Sequence, residues 1–298
     1  MGDYHVHLHP HGPYRGFGPE PGHYPGAYLE AYVEAAAGHG AEEVGFTEHL
    51  YRCVESAQAL GPFWELEPKT DLAEVTETFV REERVLSLDR YVDAVVAAKD
   101  RGLPVLLGLE VDFFPETIDA VVELLAPYPF DFLIGSTHWV GAWPIDNPRA
   151  AFEFDRRGVR SAYEDYFAVE EQLAASGAVD VLAHVDVVKK LGYRLDELPT
   201  DWYAKVVAAA AASGTAVEVS TAGLWQPAAE LYPDPHFLEM FFEAGVPITL
   251  ASDAHSPEEC GRGRDQAIAA ARRAGYRERL RFRQRVGELV PLETPEEP

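Results

Sequence analysis

Seven short apolar runs punctuate the chain, and most of them stop on a residue that carries chemistry. They are DYHVH at 3–7, VGF at 44–46, VLLGL at 105–109, FDFLIGS at 130–136, VDVLA at 179–183, TAVEV at 215–219 and VPITLA at 246–251. Most are nearly continuous in apolar residues, the pattern of strands covered on both faces in a parallel sheet. Between them, helical periodicity predicts helices over 27–38, 88–101, 116–125, 161–176, 202–213, 237–244 and 264–275. Strand and helix alternate, which predicts an α/β fold of the parallel-barrel kind. Two stretches break the rhythm, an acidic one at 53–85 and one at 140–158 rich in Trp, Pro and Asp, and both read as excursions. A polar tail is expected after the last helix.

No weakly structured stretch is long enough to separate two domains, and 298 residues with 47% hydrophobic content can build one sizeable core. A single domain over 1–298 is expected. Fifty acidic residues against 25 basic ones give a net charge of −25, which argues against tracking nucleic-acid phosphates or anionic lipid. A small-molecule partner fits better, and bound cations would offset part of the charge. The sequence shows neither a membrane-length apolar run nor a basic-then-apolar leader, so a cytoplasmic location is expected. Cys53 and Cys260 make no metal or redox spacing and read as ordinary thiols. Oligomeric state has no signature in the sequence.

The chemistry lies at the strand ends. Residues two apart on a strand share a side, so His5 and His7 can reach one ion. His49, Glu110, His138, His184, Asp253 and His255 end later strands. In parallel barrels the C-terminal strand ends form the active site, so these residues would converge there. Imidazoles and carboxylates at one pole suit zinc, manganese or iron, with a carboxylate able to bridge two ions. His39, near a helix end, and His236, opening a helix, read as structural. His9 is an outer neighbour at most.

The segments DYHVH, FTEH, GLEVD, GSTHW, AHVD and SDAH, in this order, resemble the motifs of the PHP (polymerase and histidinol phosphatase) superfamily. THWVGAWPIDNP, LAHVDVVKKLGY, VEVSTAGLWQPAAELYP and VPITLASDAHSPEECG resemble its histidinol-phosphatase branch, so the likeness covers most of residues 3–275. The resemblance implies a distorted seven-stranded (β/α)7 barrel, the TIM-barrel-like PHP fold, holding three divalent metal ions. It implies that His5, His7, Glu110 and Asp253 hold the first ion. Glu110 bridges to a second, completed by His138 and His184, and His49 and His255 hold the third. A further first-loop His belongs to that third site, but Pro13 stands at the family's usual spacing. His11 and His23 remain, and the spacing from His23 to the following helix and to TEH favours His23.

The implied activity is hydrolysis of the phosphate monoester L-histidinol phosphate to L-histidinol and phosphate, a step of histidine biosynthesis, with Glu110, Asp253 and His255 as catalytic residues. Clustered ions would supply hydroxide at neutral pH and polarise the phosphoryl group. Glu48, Asp112 and Asp186 read as groups that orient imidazoles. Phosphate also attracts an Arg fork. Among Arg15, Arg156, Arg157, Arg160, Arg262 and Arg264, Arg160 near a helix N-terminus is the expected substrate-binding residue. Trp139, Trp143 and Trp225 could wall an imidazole pocket. The alternatives are a PHP-type enzyme for another small phosphorylated substrate, an amidohydrolase-like hydrolase, an exonuclease module and a metal-binding protein without turnover.

Overall fold

The computed structural model describes residues 2–9, 11, 18–66 and 71–292. Strand β1 (Gly2–Val6) is followed by α1 (Gly26–Gly38) and β2 (Glu43–Phe46), and the first excursion then folds as α2 (Ser56–Leu60) and α3 (Asp71–Glu83). Helix α4 (Leu88–Asp100) leads into a third strand position split into β3 (Val105–Leu107) and β4 (Glu110–Asp112). After α5 (Ile118–Leu125) come β5 (Ile134–Ser136), the pair β6 (Trp139–Val140) and β7 (Trp143–Pro144), α6 (Phe152–Arg157), α7 (Val159–Ser176) and β8 (Val181–Leu182). Then follow α8 (Thr200–Ser213), β9 (Ala216–Ser220), α9 (Pro235–Glu243), β10 (Ile248–Ala251) and α10 (Arg264–Ala274). The chain past α10 is not a plain tail: β11 (Glu278–Arg283) and β12 (Val286–Pro291) pair as an antiparallel hairpin. No helix among the described residues is long and apolar enough to cross a membrane.

Parallel pairing runs β1-β2-β3 in one sheet and β4-β5-β8-β9-β10 in another. Single parallel bridges, Val6 with Ala254 and His49 with Glu110, link the two sheets at both borders. At those borders the His7 N–H donates to the Ala254 carbonyl at 2.8 Å and the Glu110 N–H to the Glu48 carbonyl at 3.0 Å. Parallel strands put their C-terminal ends on one side, and the polar strand-end residues gather there.

Alternate strand residues feed two apolar clusters. Val105, Leu107, Leu133, Leu182 and Val217 join the large core shared with the helices. Leu106, Ile134, Val181, Ala183 and Ala216 join a smaller cluster with Tyr4, Phe132 and Phe282. The Phe132 ring explains two glycines: a Cβ on Gly45 or on Gly108 would fall 2.6 Å from its Cζ. Gly108 is also where β3 and β4 part. In β1, Asp3 opposes Val44 and Val6 opposes Phe46, three steps against two. This extra residue is a bulge. Tyr4 thereby packs against Phe132, ring centroids 5.2 Å apart, while His5 and His7 join the polar cluster.

Helix α7 buries one group that the packing does not explain, Glu170, fully enclosed beside Thr137 and Tyr166. Burial raises its pKa from 4.5 to about 8. Between those values the folded chain keeps a proton that the unfolded chain has released, so stability falls as pH rises through the window. Glu170→Gln removes that penalty. Its stability relative to the parent should therefore grow from pH 5 to pH 8 by on the order of a few kcal/mol. Denaturant midpoints of both proteins at the two pH values check this, and an unchanged difference would refute it.

Candidate metal centre

Each strand position except β9 places an imidazole or carboxylate in one buried cluster at the C-terminal ends. His5 lies within β1 and His7 just past it; His49 follows β2, Glu110 opens β4, His138 follows β5, His184 follows β8, and Asp253 and His255 follow β10. Their donor atoms fall into four overlapping groups: His7, His49 and His255; His5, His7 and Glu110; His5, His184 and Asp253; and His49, Glu110 and His138. Within each group the donor atoms lie within 4.8 Å of one another. His184 and Asp253 adopt positive φ, 26° and 55°. Side chains rarely take such backbone, and here it turns both donors inward at the ends of their strands.

Glu110 is the hub. Its Oε1 lies 3.1 Å from His184 Nε2 and 3.4 Å from His138 Nε2. Its Oε2 lies 2.6 Å from His49 Nδ1, 3.4 Å from His5 Nε2 and 3.6 Å from His7 Nε2. Asp253 Oδ1 stands 3.2 Å from His7 Nε2 and 3.5 Å from His5 Nε2. Burial opposes ionisation of both carboxylates, but the surrounding imidazoles outweigh it and hold both pKa values well below the usual range. Burial lowers the pKa of His7, His11 and His255, assisted by their mutual proximity, which favours neutral, ligating imidazole. His5 and His138 go the other way: burial lowers them, yet neighbouring carboxylates win, taking His138 to about 9.

These donors fit divalent ions. His5 Nε2 and His7 Nε2 approach to 3.1 Å, and so do His49 Nε2 and His11 Nε2. A pair of ring nitrogens so close is stable only with a proton or a cation between their lone pairs. Among the described residues, the buried Glu110 Oε2 has no well-aligned hydrogen-bond donor, although His49 Nδ1 lies 2.6 Å away. Two ring nitrogens that face away from the cluster have partners: His138 Nδ1 meets Asp112 Oδ1 at 3.1 Å, and His5 Nδ1 meets Glu218 Oε2 at 3.0 Å. Such outer carboxylates fix the tautomer of a metal-binding imidazole.

Two expected residues are not brought to the cluster. His23 is solvent-exposed, its backbone N–H bonded to the Glu20 carbonyl. His11 stands in its place, its ring centroid 4.6 Å from that of His49 and 4.7 Å from that of His255. One ion pair grips the His9 backbone: the N–H donates to Glu48 Oε1 at 2.6 Å, and Arg52 donates to the carbonyl at 2.5 Å. Glu48 thus holds the loop and not an imidazole of the cluster. Arg160 is exposed, with its guanidinium 5.5 Å from the centre of the Trp202 ring. Arg156 and Arg157 pair with Glu153, and Arg15 lies outside the described residues.

A cavity of about 620 Å³ opens onto the cluster at His49, His138, His184, Asp253 and His255. Trp139, Trp225 and Tyr232 contribute apolar wall, and Arg149, Lys190 and Arg262 contribute cations. Trp143 is instead buried in the core, its indole N–H bonded to the Ala150 carbonyl at 3.1 Å. Arg262 stacks on Trp225 at 3.6 Å, and Lys190 pairs with Asp146 at 2.6 Å. Arg262 is one of the arginines read from the sequence as a phosphate candidate, whereas Lys190 is legible only as a polar residue following AHVD.

A parallel α/β fold with a buried histidine and carboxylate cluster at its strand ends defines a protein built to bind divalent metal. The chain belongs to the PHP domain family, whose model matches residues 26–222. It is 37% identical over 193 residues to a probable histidinol-phosphatase of Deinococcus radiodurans, spanning 64% of this chain and 74% of that protein. A probable histidinol-phosphatase of Schizosaccharomyces pombe is 25% identical over 241 residues, 76% of this chain and 75% of that one. Among solved structures, the histidinol phosphate phosphatase of Lactococcus lactis, complexed with zinc, L-histidinol and phosphate, superposes with a TM-score of 0.69. That likeness spans 96% of this chain and 98% of that chain at 21% identity.

Proposed function

We propose that this protein is a metal-dependent phosphomonoesterase that hydrolyses L-histidinol phosphate to L-histidinol and phosphate. The observation that carries the reading is the convergence on Glu110 of five imidazoles at the floor of an open cavity. The named relatives supply the substrate. We read the sheets, linked at both borders, as one distorted barrel of seven strand positions. The whole chain is then one domain, a reading supported by the packing of Phe282 near the C-terminus against Tyr4 near the N-terminus.

In this reading three ions are held. His5, His7, Glu110 and Asp253 hold one; Glu110, His138 and His184 another; His49, His255 and His11 the third. Divalent zinc, manganese or iron in such a site acts as a Lewis acid toward phosphoryl oxygens and lowers the pKa of bound water. The chain's own groups do the rest. Lys190 and Arg262 on the cavity wall attract the phosphate dianion, with Arg262 presenting the planar fork that suits its oxygens. Trp139, Trp225 and Tyr232 offer faces to the imidazole ring of the substrate. Asp112 keeps the His138 ring oriented.

The test is phosphate release from L-histidinol phosphate by the zinc- or manganese-loaded protein, run beside an amide substrate and single-stranded DNA. Release from the phosphate ester alone is expected. A metal-loaded protein that leaves the ester intact would refute the assignment.

A further inference from the structure

Among the described residues, β9 is the strand position that delivers no donor to the four groups. It delivers Glu218 instead, fully buried between Val217 and Val219, which pack in the large core. Packing alone would favour a third apolar side chain there, because a buried carboxylate is costly unless its acceptors are used.

Both oxygens of Glu218 are used, and on ligands from two different strands. Oε2 lies 3.0 Å from His5 Nδ1, with Oε1 at 3.3 Å from the same atom. Oε1 accepts the backbone N–H of His184 at 2.7 Å. Resting on the metal reading above, we infer that Glu218 is a positioning residue that sets His5 and His184 together and so couples two of the ion positions.

The His5 half follows from the imidazole itself. A ring that holds an ion has one N–H, and a carboxylate facing Nδ1 keeps it there. Nε2 is then left with its lone pair, and Nε2 is the atom facing His7, Glu110 and Asp253. The His184 half is a backbone effect. His184 sits at φ 26°, and the bond to Glu218 holds its N–H in that conformation while Nε2 reaches Glu110 Oε1 at 3.1 Å. One carboxylate thus fixes a tautomer on β1 and a strained backbone after β8.

Glu218→Gln tests this because it keeps the shape and removes one acceptor. With the amide oxygen on His184 N–H, the NH2 faces His5 Nδ1 and drives its proton to Nε2. In the opposite rotamer, the NH2 faces the His184 N–H. Each rotamer spoils one ligand, and exchange between them weakens both ion positions.

Zinc is the probe, counted by mass spectrometry as a chelator is titrated into the loaded protein. For Glu218→Gln, two equivalents should leave at about 10–100-fold weaker affinity. The equivalent held by His11, His49 and His255 should leave as in the parent. An unchanged release curve, weakening of a single equivalent, or equal weakening of all three would overturn the inference.

Nitrogen-15 NMR of the zinc-loaded parent gives a check that does not depend on the variant folding. It should show His5 bound through Nε2 with its proton on Nδ1; binding through Nδ1 would overturn the inference. Neither readout uses turnover, so failure of the substrate assignment would leave both intact. A parent protein that takes up no zinc would overturn the metal reading and this inference with it.

Discussion

Glu110→Gln should lower kcat/KM for L-histidinol phosphate by on the order of 10³-fold, about 4 kcal/mol of lost transition-state stabilisation at 1.36 kcal/mol per tenfold. The substitution keeps the volume of a fully buried side chain, so the effect is one of charge. Glu110 appears in two of the four donor groups and lies within 3.6 Å of His5, His7, His49, His138 and His184. A neutral amide there leaves imidazoles facing one another without the anion that balances the ions. Metal content should fall by at least one equivalent. The depressed pKa adds a pH signature. The charge of Glu110 contributes stability in full above its unfolded pKa of about 4.5, lost as pH falls through its lower folded value. The parent should therefore lose stability in acid more steeply than Glu110→Gln. Full metal content together with parental turnover in the variant would refute the hub role.

The strand ends were legible because of how buried parallel strands are built. A strand covered on both faces has no solvated side, so a donor such as His138 or His184 after an apolar run marks where the strand stops and the site begins. The hairpin past α10 was hidden for the opposite reason. Arg279, Leu280, Arg281, Phe282 and Arg283 do alternate with period two. Yet the turn carries Gln284 and Arg285, not the Asn-Gly pair that two positive-φ residues favour. Their φ values of 51° and 63° are held from outside, by Asp131, which accepts from both backbone N–H groups, and by the ion pair of Arg285 with Asp180.

Arg160 is not among the residues lining the cavity, since proximity to a helix N-terminus says nothing about which way the helix faces. Its guanidinium rests near Trp202, while Lys190 and Arg262 on the cavity wall come from the segments after β8 and β10. Glu218 reads from the sequence as part of the end of the sixth strand and is given no role there, whereas the structure places it inside that strand. A charged residue flanked by valines was itself a signal: such a group is seldom fully buried unless it is paired.

His11→Ala should remove about one metal equivalent and lower kcat/KM by roughly 10–100-fold, the scale found when a supporting metal-site group is lost. His23→Ala should leave both near the parental value. Counting residues along the loop favoured His23, but spacing measures contour and not direction. The Glu48–Arg52 pair fixes the backbone at His9, while His11 stands beside His49 and His23 lies in solvent. His11 is also chemically ready: burial and the nearby His49 and Arg52 depress its pKa well below the ordinary value. A neutral imidazole has a lone pair to give, and its Nε2 is 3.1 Å from that of His49. The two variants fold around the same core, since neither side chain belongs to the apolar clusters. Metal counting therefore reads the site directly. Loss of an equivalent in His23→Ala with full content in His11→Ala would return the third position to His23.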